Sequence, residues 1–216
     1  MVARRRFVTV TPLGVNGSWF EAEAGLKIAA VQARYALIPG YLLFVGTLQP
    51  RKNVERIVEA FGRLPAHISA GRQLVIAGKA GWRADGLLAT LRAAAPGGRV
   101  RWLDYVDSND LRALYQGAAG FIFPSLYEGF GLPVLEAFAS GIPVVTSTTT
   151  SLPEVAGDAA LLVDPTDVDA IAGAMALLIE DSALASRLRA AGRARARTFT
   201  WASCADKSVA ILRSLA

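Results

Sequence analysis

Short runs of unbroken apolar residues alternate along this chain with longer stretches in which apolar positions recur every three or four residues. The short runs are 41–46 (YLLFVG), 73–77 (QLVIA), 100–103 (VRWL), 120–123 (GFIF), 143–146 (PVVT) and 160–163 (ALLV). Apolarity without alternation predicts strands buried on both faces, the habit of a parallel sheet. In the longer stretches Val54, Ile57, Val58 and Phe61 fall at i, i+3, i+4 and i+7, which predicts a helix over 54–64 with one apolar stripe. Leu111, Leu114, Tyr115 and Ala118 do the same over 109–118. Helices are also expected at 167–180, where Thr166 and Asp169 form a capping-box pattern with Asp in place of Glu, and at about 182–197 and 200–215. Strand and helix alternating through six strands define an α/β class with a doubly wound, six-stranded parallel sheet. Residues 37–216 carry that alternation; residues 1–36 do not, and read as a lead-in crossover segment. In such folds ligands collect beyond the carboxyl ends of the strands, so those loops are the ones to read for chemistry.

Composition narrows the picture. The chain has 216 residues, 53% hydrophobic and 19% charged, enough for one domain with a sizeable core. Its one cysteine, Cys204, forbids an internal disulfide and fits a reducing compartment. With a lone histidine, His67, a Cys/His metal centre is implausible, and no metal site is expected. His67 in "RLPAHISAG" reads as a solvated loop residue. The net charge is +5, with arginine clusters at 4–6 and at 187, 189, 193, 195 and 197. Such clusters can attract phosphorylated ligands or anionic lipid, but a solvated terminus and a solvated helix face are the favoured reading. No aromatic-rich basic strand accompanies them, which argues against nucleic acid as a partner. "RRRFV" brushes against a twin-arginine signal, yet no apolar core follows it. No run approaches the ~18 apolar residues of a membrane span. A cytoplasmic protein is expected, touching the inner membrane face peripherally at most.

Three strand-end loops carry candidate chemistry. After 41–46 comes "GTLQPRKN", with Asn53 as the expected N-cap of the next helix. Arg51 and Lys52 then stand at a helix N-terminus, whose free N–H groups and dipole already favour an anion. A diphosphate site and an ordinary solvated loop weigh equally on this loop alone. After 73–77 comes "GKAGW" (Gly78 to Trp82), which is no Walker A loop because Ala80 stands where Ser or Thr is needed, and which a plain turn explains equally well. After 120–123 comes "PSLYEGFGLPVLEAFASG". Pro133 suits a first helical position, Val134 to Ser140 continue the helix, and Gly141 ends it. Glu136 therefore lies about one turn inside, and Glu128 in the loop before. On one continuous helix the two acids would be about 80° apart, but the glycines and proline argue for a loop that folds back and turns both carboxylates into one cleft. Gly129 and Gly131 would let backbone N–H groups approach a ligand closely.

These segments resemble the donor-binding, C-terminal half of retaining GT-B glycosyltransferases of the group 1 (family 4) type. The resemblance runs over about residues 40–201 and rests on "YLLFVGTLQPRKNVERIVEAF", "LVIAGKAGW", "VRWLDYVDSNDLRALYQGA", "FIFPSLYEGFGLPVLEAFASGIPVV", "SLPEVAGDAALLVDPTD" and "TFTW". The E-x7-E element from Glu128 to Glu136 is its most specific part, and "VGTLQPRKN" is most similar to bacterial mannosyltransferases of the group. The resemblance implies a Rossmann-like domain, one half of a GT-B fold, that uses a nucleotide-sugar donor (GDP-mannose or a UDP-hexose) and needs no cofactor or metal. Lys52 and Arg51 would hold the diphosphate and stabilise charge on it as it leaves. Glu136 would bind the ribose hydroxyls. Glu128, with the backbone N–H groups of Phe130, Gly131 and Leu132, would hold the sugar and its phosphate, and Gly129 would give them room. Gly46, Thr47 and Gly78 would line the donor site, and the backbone at Val106 the base pocket. Transfer would go to a sugar or lipid-linked glycan with retention, by front-face attack within an ion pair.

Three departures qualify this. Thr47 stands where many relatives carry Arg, and Asp104 replaces a common glycine, which leaves the base preference open. The N-terminal half of a GT-B fold is missing, and "VTVTPLGVNGSWF" is similar to the crossover that follows it. A truncated frame, an excised domain and a subunit completed by a separate N-terminal half are all open. Positioning a second reactant can supply about 7–11 kcal/mol of barrier reduction. The isolated chain is therefore expected to bind a nucleotide sugar and transfer it poorly. The reading from another class is a non-catalytic binding or scaffold module completed by a partner chain.

Overall fold

The computed structural model describes residues 8–214; Arg4, Arg5 and Arg6 lie outside them. Six strands form one wholly parallel sheet: β1 (Leu42–Val45), β2 (Leu74–Ala77), β3 (Val100–Leu103), β4 (Gly120–Phe123), β5 (Val144–Ser147) and β6 (Leu161–Val163). Their order is β3-β2-β1-β4-β5-β6, the doubly wound arrangement in which the chain reverses direction across the sheet between β1 and β4. β1, β2, β4 and β5 are almost completely buried, while edge strands β3 and β6 are partly exposed. Unbroken apolar runs thus became interior strands. The run expected at 143–146 pairs one residue later, because Pro143 has no N–H to donate to the ladder; its carbonyl still accepts from Phe121 N–H.

Ten helices are described: α1 (Gly25–Arg34), α2 (Val54–Gly62), α3 (Ala66–Ser69), α4 (Asp85–Ala94), α5 (Ser108–Gln116), α6 (Leu132–Ala139), α7 (Leu152–Ala156), α8 (Val168–Glu180), α9 (Ser182–Ala196) and α10 (Trp201–Arg213). α2 packs on α4 and α8, and α8 on α3; α6 packs on α7 and α9, and α1 on α5. The stripe Val54, Ile57, Val58 and Phe61 of α2 is buried in the main core, as are Leu114 and Tyr115 of α5.

Several local expectations need correction. Asn53 precedes α2 but does not cap it: its backbone is left-handed (φ 62°), and its side-chain amide donates to the carbonyls of Pro124 and Pro165 instead. The capping box at Thr166 and Asp169 does not form. Asp167 caps α8 by accepting from Ala170 N–H, Thr166 donates to Asp164, and Asp169 pairs with Arg63. α6 begins at Leu132, one residue before Pro133. His67 is exposed but lies in the single-turn helix α3, bonded to Glu180.

The arginines near the end of α9 are not a freely solvated face. Arg193 donates to Phe20 O, Arg195 to the carbonyls of Glu154 and Val155, and Arg197 sits over the Phe20 ring. Their aliphatic stems and planar heads tie the chain ends to the domain.

Candidate active site

The reversal of strand order sets the loop after β1 beside the loop after β4. Both loops carry the charged residues singled out in the sequence. The first makes a 3-10 turn, Pro50–Lys52, closed by the left-handed Asn53. Asn is among the residues that tolerate this backbone, and its two-pronged amide fastens the turn to the loops after β4 and β6. The two loops bond directly, Leu126 N–H donating to Arg51 O at 2.8 Å.

Here Lys52 Nζ lies 2.6 Å from Glu128 Oε1, and Arg51 Nη1 lies 2.9 Å from Glu128 Oε2. One carboxylate is shared by two cations, one per oxygen. Lys52 and Glu128 are buried, while the Arg51 side chain is 40% exposed. Arg51 also donates to Tyr127 O and Gln49 Oε1. Burial pushes the Lys52 ammonium below its ordinary pKa, and the Glu128 carboxylate offsets part of that fall. The cluster keeps one net positive charge beside a helix N-terminus. α6 starts there with Gly131 as N-cap, and the N–H groups of Phe130, Gly131 and Leu132 meet no acceptor among the described residues. Gly131 must be glycine: its φ is +108°, and a Cβ would fall 2.7 Å from Leu152 Cδ2. A Cβ on Gly129 would meet nothing within 4 Å, so the space beside it is open.

Glu136 lies elsewhere on α6. Its Oε2 accepts from the Tyr115 hydroxyl of α5 at 3.2 Å. Burial raises the carboxyl above its ordinary pKa, and the tyrosine bond works against that rise. Tyr115 is itself fully buried, so its hydroxyl is held well above its ordinary range by desolvation and then by Glu136. The two glutamates share no hydrogen-bond partner. An aromatic row connects them: Tyr115 stacks on Phe121 (5.2 Å), Phe121 on Phe123 (5.6 Å), and Lys52 Nζ lies 4.8 Å over the Phe123 ring. Phe121 and Phe123 fall on one face of β4 because side chains alternate along a strand.

At the ends of β1, β2 and β3 lies a cavity of about 240 Å³. Gly46, Thr47, Gly78 and Val106, all singled out in the sequence, line it with Asp104, Tyr105 and Leu111. Gly78 has no room for a side chain, since a Cβ there would lie 2.0 Å from Gly46 O. "GKAGW" is more than a plain turn: Leu48 N–H donates to Lys79 O and Gly81 N–H to Leu48 O, extending the β1–β2 pairing past the strand ends. Gly46 joins the cavity to the charged cluster, because a Cβ on it would be 3.8 Å from Lys52 Cε.

Sequence reasoning missed the loop after β5. Ser147 at the end of β5, and Thr149, Thr150 and Ser151 in this loop, bond through their hydroxyls to residues 125–130 of the β4–α6 loop. The signal was the run "TSTTTS" at a strand end. Among the described residues no three His, Cys, Asp or Glu side chains come close enough to hold a metal ion, and no helix is long and apolar enough to cross a membrane.

Sheet order and strand-end loops together define a doubly wound α/β domain, with a cationic cluster at the reversal of strand order and, beside it, a cavity lined by glycines, apolar side chains, Lys79 and Asp104. The chain belongs to the family of glycosyl transferases group 1, whose sequence profile matches residues 37–195. It is 37% identical over 202 residues to O-antigen chain mannosyltransferase B of Escherichia coli, covering 94% of this chain and 53% of that protein. To the MMP alpha-(1->4)-mannosyltransferase of Mycolicibacterium hassiacum it is 34% identical over 206 residues, covering 94% of this chain and 47% of that protein. Among solved structures, sucrose-phosphate synthase of Thermosynechococcus elongatus superposes with a TM-score of 0.78 at 29% identity, over 95% of this chain and 52% of that one. The chain thus spans about half the length of these two relatives.

Proposed function

We propose that this domain binds the nucleotide-sugar donor of a retaining hexosyl transfer, mannosyl in the first instance. The observation that carries the reading is the shared salt bridge Lys52–Glu128–Arg51 at the reversal of strand order, next to a cavity of about 240 Å³. A base in that cavity sets the ribose toward Glu136 and the diphosphate toward Lys52, Arg51 and the start of α6. Fixed cations and N–H groups then stabilise the charge that builds on the diphosphate as the glycosidic bond breaks, the role a metal plays elsewhere. GDP-mannose is the donor to try first, since the Escherichia coli relative is named for mannosyl transfer; a UDP-hexose is the competing donor. The acceptor, a sugar or lipid-linked glycan, is met on a second domain of the kind that the relatives' extra length accommodates.

Isothermal titration of the chain with GDP-mannose, UDP-glucose, GDP and UDP tests this. Saturable binding of one donor and its free nucleotide is expected, with little transfer by the chain alone. Self-association with no affinity for any of the four would favour a scaffold module instead.

A further inference from the structure

The hydroxyls at and just beyond the end of β5 grip the Glu128 loop in two opposite senses. Ser147 Oγ donates to Ser125 O at 2.8 Å, and Ser151 Oγ donates to Glu128 O at 3.0 Å and Phe130 O at 2.9 Å. Thr149 Oγ1 donates toward the carbonyls of Ser125 and Leu126, both at 3.3 Å. Thr150 does the reverse: its Oγ1 accepts from the Glu128 backbone N–H at 3.1 Å. To do so it holds a left-handed backbone, φ 56°. That region is unfavourable for a β-branched residue, and such outliers persist where surrounding structure over-determines them. Thr150 is exposed, so core packing does not impose the conformation. Of the four non-glycine residues with positive φ among the described residues, one is Asn53, directly after Lys52, and another is Thr150, bonded to Glu128. Both sides of the buried ion pair are therefore set by a residue in an uncommon backbone state.

We propose that Thr150 is a positioning residue for the donor site. By holding the Glu128 N–H it fixes the loop so that one carboxylate meets Lys52 and Arg51 together, and so sets where those cations face a sugar diphosphate. The proposal rests on the nucleotide-sugar reading above. It reaches only the sugar and the phosphate joined to it, because the residues lining the cavity at β1–β3 make no bond to Thr150.

The test is a titration of wild type, Thr150→Ala and Thr150→Ser with the nucleotide sugar that wild type binds and with the matching nucleoside monophosphate. Thr150→Ala should weaken the nucleotide sugar about two- to tenfold, the factor expected from one lost hydrogen bond, and leave the monophosphate unchanged. Thr150→Ser keeps the hydroxyl and should restore wild-type affinity, which also controls for folding. Equal binding of the nucleotide sugar by Thr150→Ala and wild type would overturn the proposal alone. So would an equal loss for both ligands, which a general loosening of the domain produces. A folded wild type that binds none of these ligands would overturn the nucleotide-sugar reading itself.

Discussion

Glu128 and Glu136 are eight residues apart, on the loop before α6 and on α6, yet they are held by opposite physics. Glu128 is buried because it is paid back in charge: each oxygen meets a cation, one on Lys52 and one on Arg51. Glu136 meets a neutral hydroxyl, and its carboxyl is pushed above its ordinary pKa by burial. The first arrangement fixes a geometry and leaves a surplus positive charge at the reversal of strand order. The second keeps a hydrogen-bonding group whose ionised form is poorly solvated, ready to gain from further hydroxyl donors. The comparison teaches that the spacing of two acids says little about their chemistry until their partners are known.

The comparison breaks most sharply at the ion pair. Glu128→Ala leaves the buried Lys52 ammonium without its partner, and removing one member of a buried pair costs about 3 kcal/mol. Urea denaturation should read that loss directly, and Glu136→Gln should shift stability by no more than about 1 kcal/mol, the scale of a neutral hydrogen bond. Equal losses for the two variants would dissolve the distinction. A smaller effect sharpens it through pH. Because the Glu136 pKa is raised in the folded state, its contribution to stability is fully present below the ordinary glutamate value of 4.5 and is lost as pH rises through the raised value. Thermal melts from pH 4 upward should therefore flatten in Glu136→Gln relative to wild type; a parallel pair of curves would argue against a desolvated carboxyl.

Much of the fold was legible because burial on both faces leaves an unmistakable mark, the unbroken apolar run; all six strands fall within a residue of their expected places. Of the candidate site, the meeting of Lys52, Arg51 and Glu128 was legible through position, since all three stand on strand-end loops, where doubly wound sheets tend to hold ligands. What stayed hidden depends on partners distant in sequence. Asn53 has the composition of a cap, but two loop carbonyls, one of them 112 residues away, claim its amide. The arginines of α9 look like a solvated face until Phe20 and the α7 carbonyls appear beside them. At Thr150 the run "TSTTTS" marked only a hydroxyl-rich strand end, because the bond to Glu128 reaches back 22 residues and the left-handed backbone has no composition signal.

The most direct test of the central claim is the affinity of Lys52→Ala for GDP and for UDP. This variant leaves Glu128 paired with Arg51, so the domain should stay folded while the cluster loses its buried cation. Affinity for the diphosphate that wild type binds should fall by about 30-fold or more, the scale of a lost charge-assisted contact of ~2 kcal/mol. Undiminished diphosphate affinity in the folded variant would contradict the account.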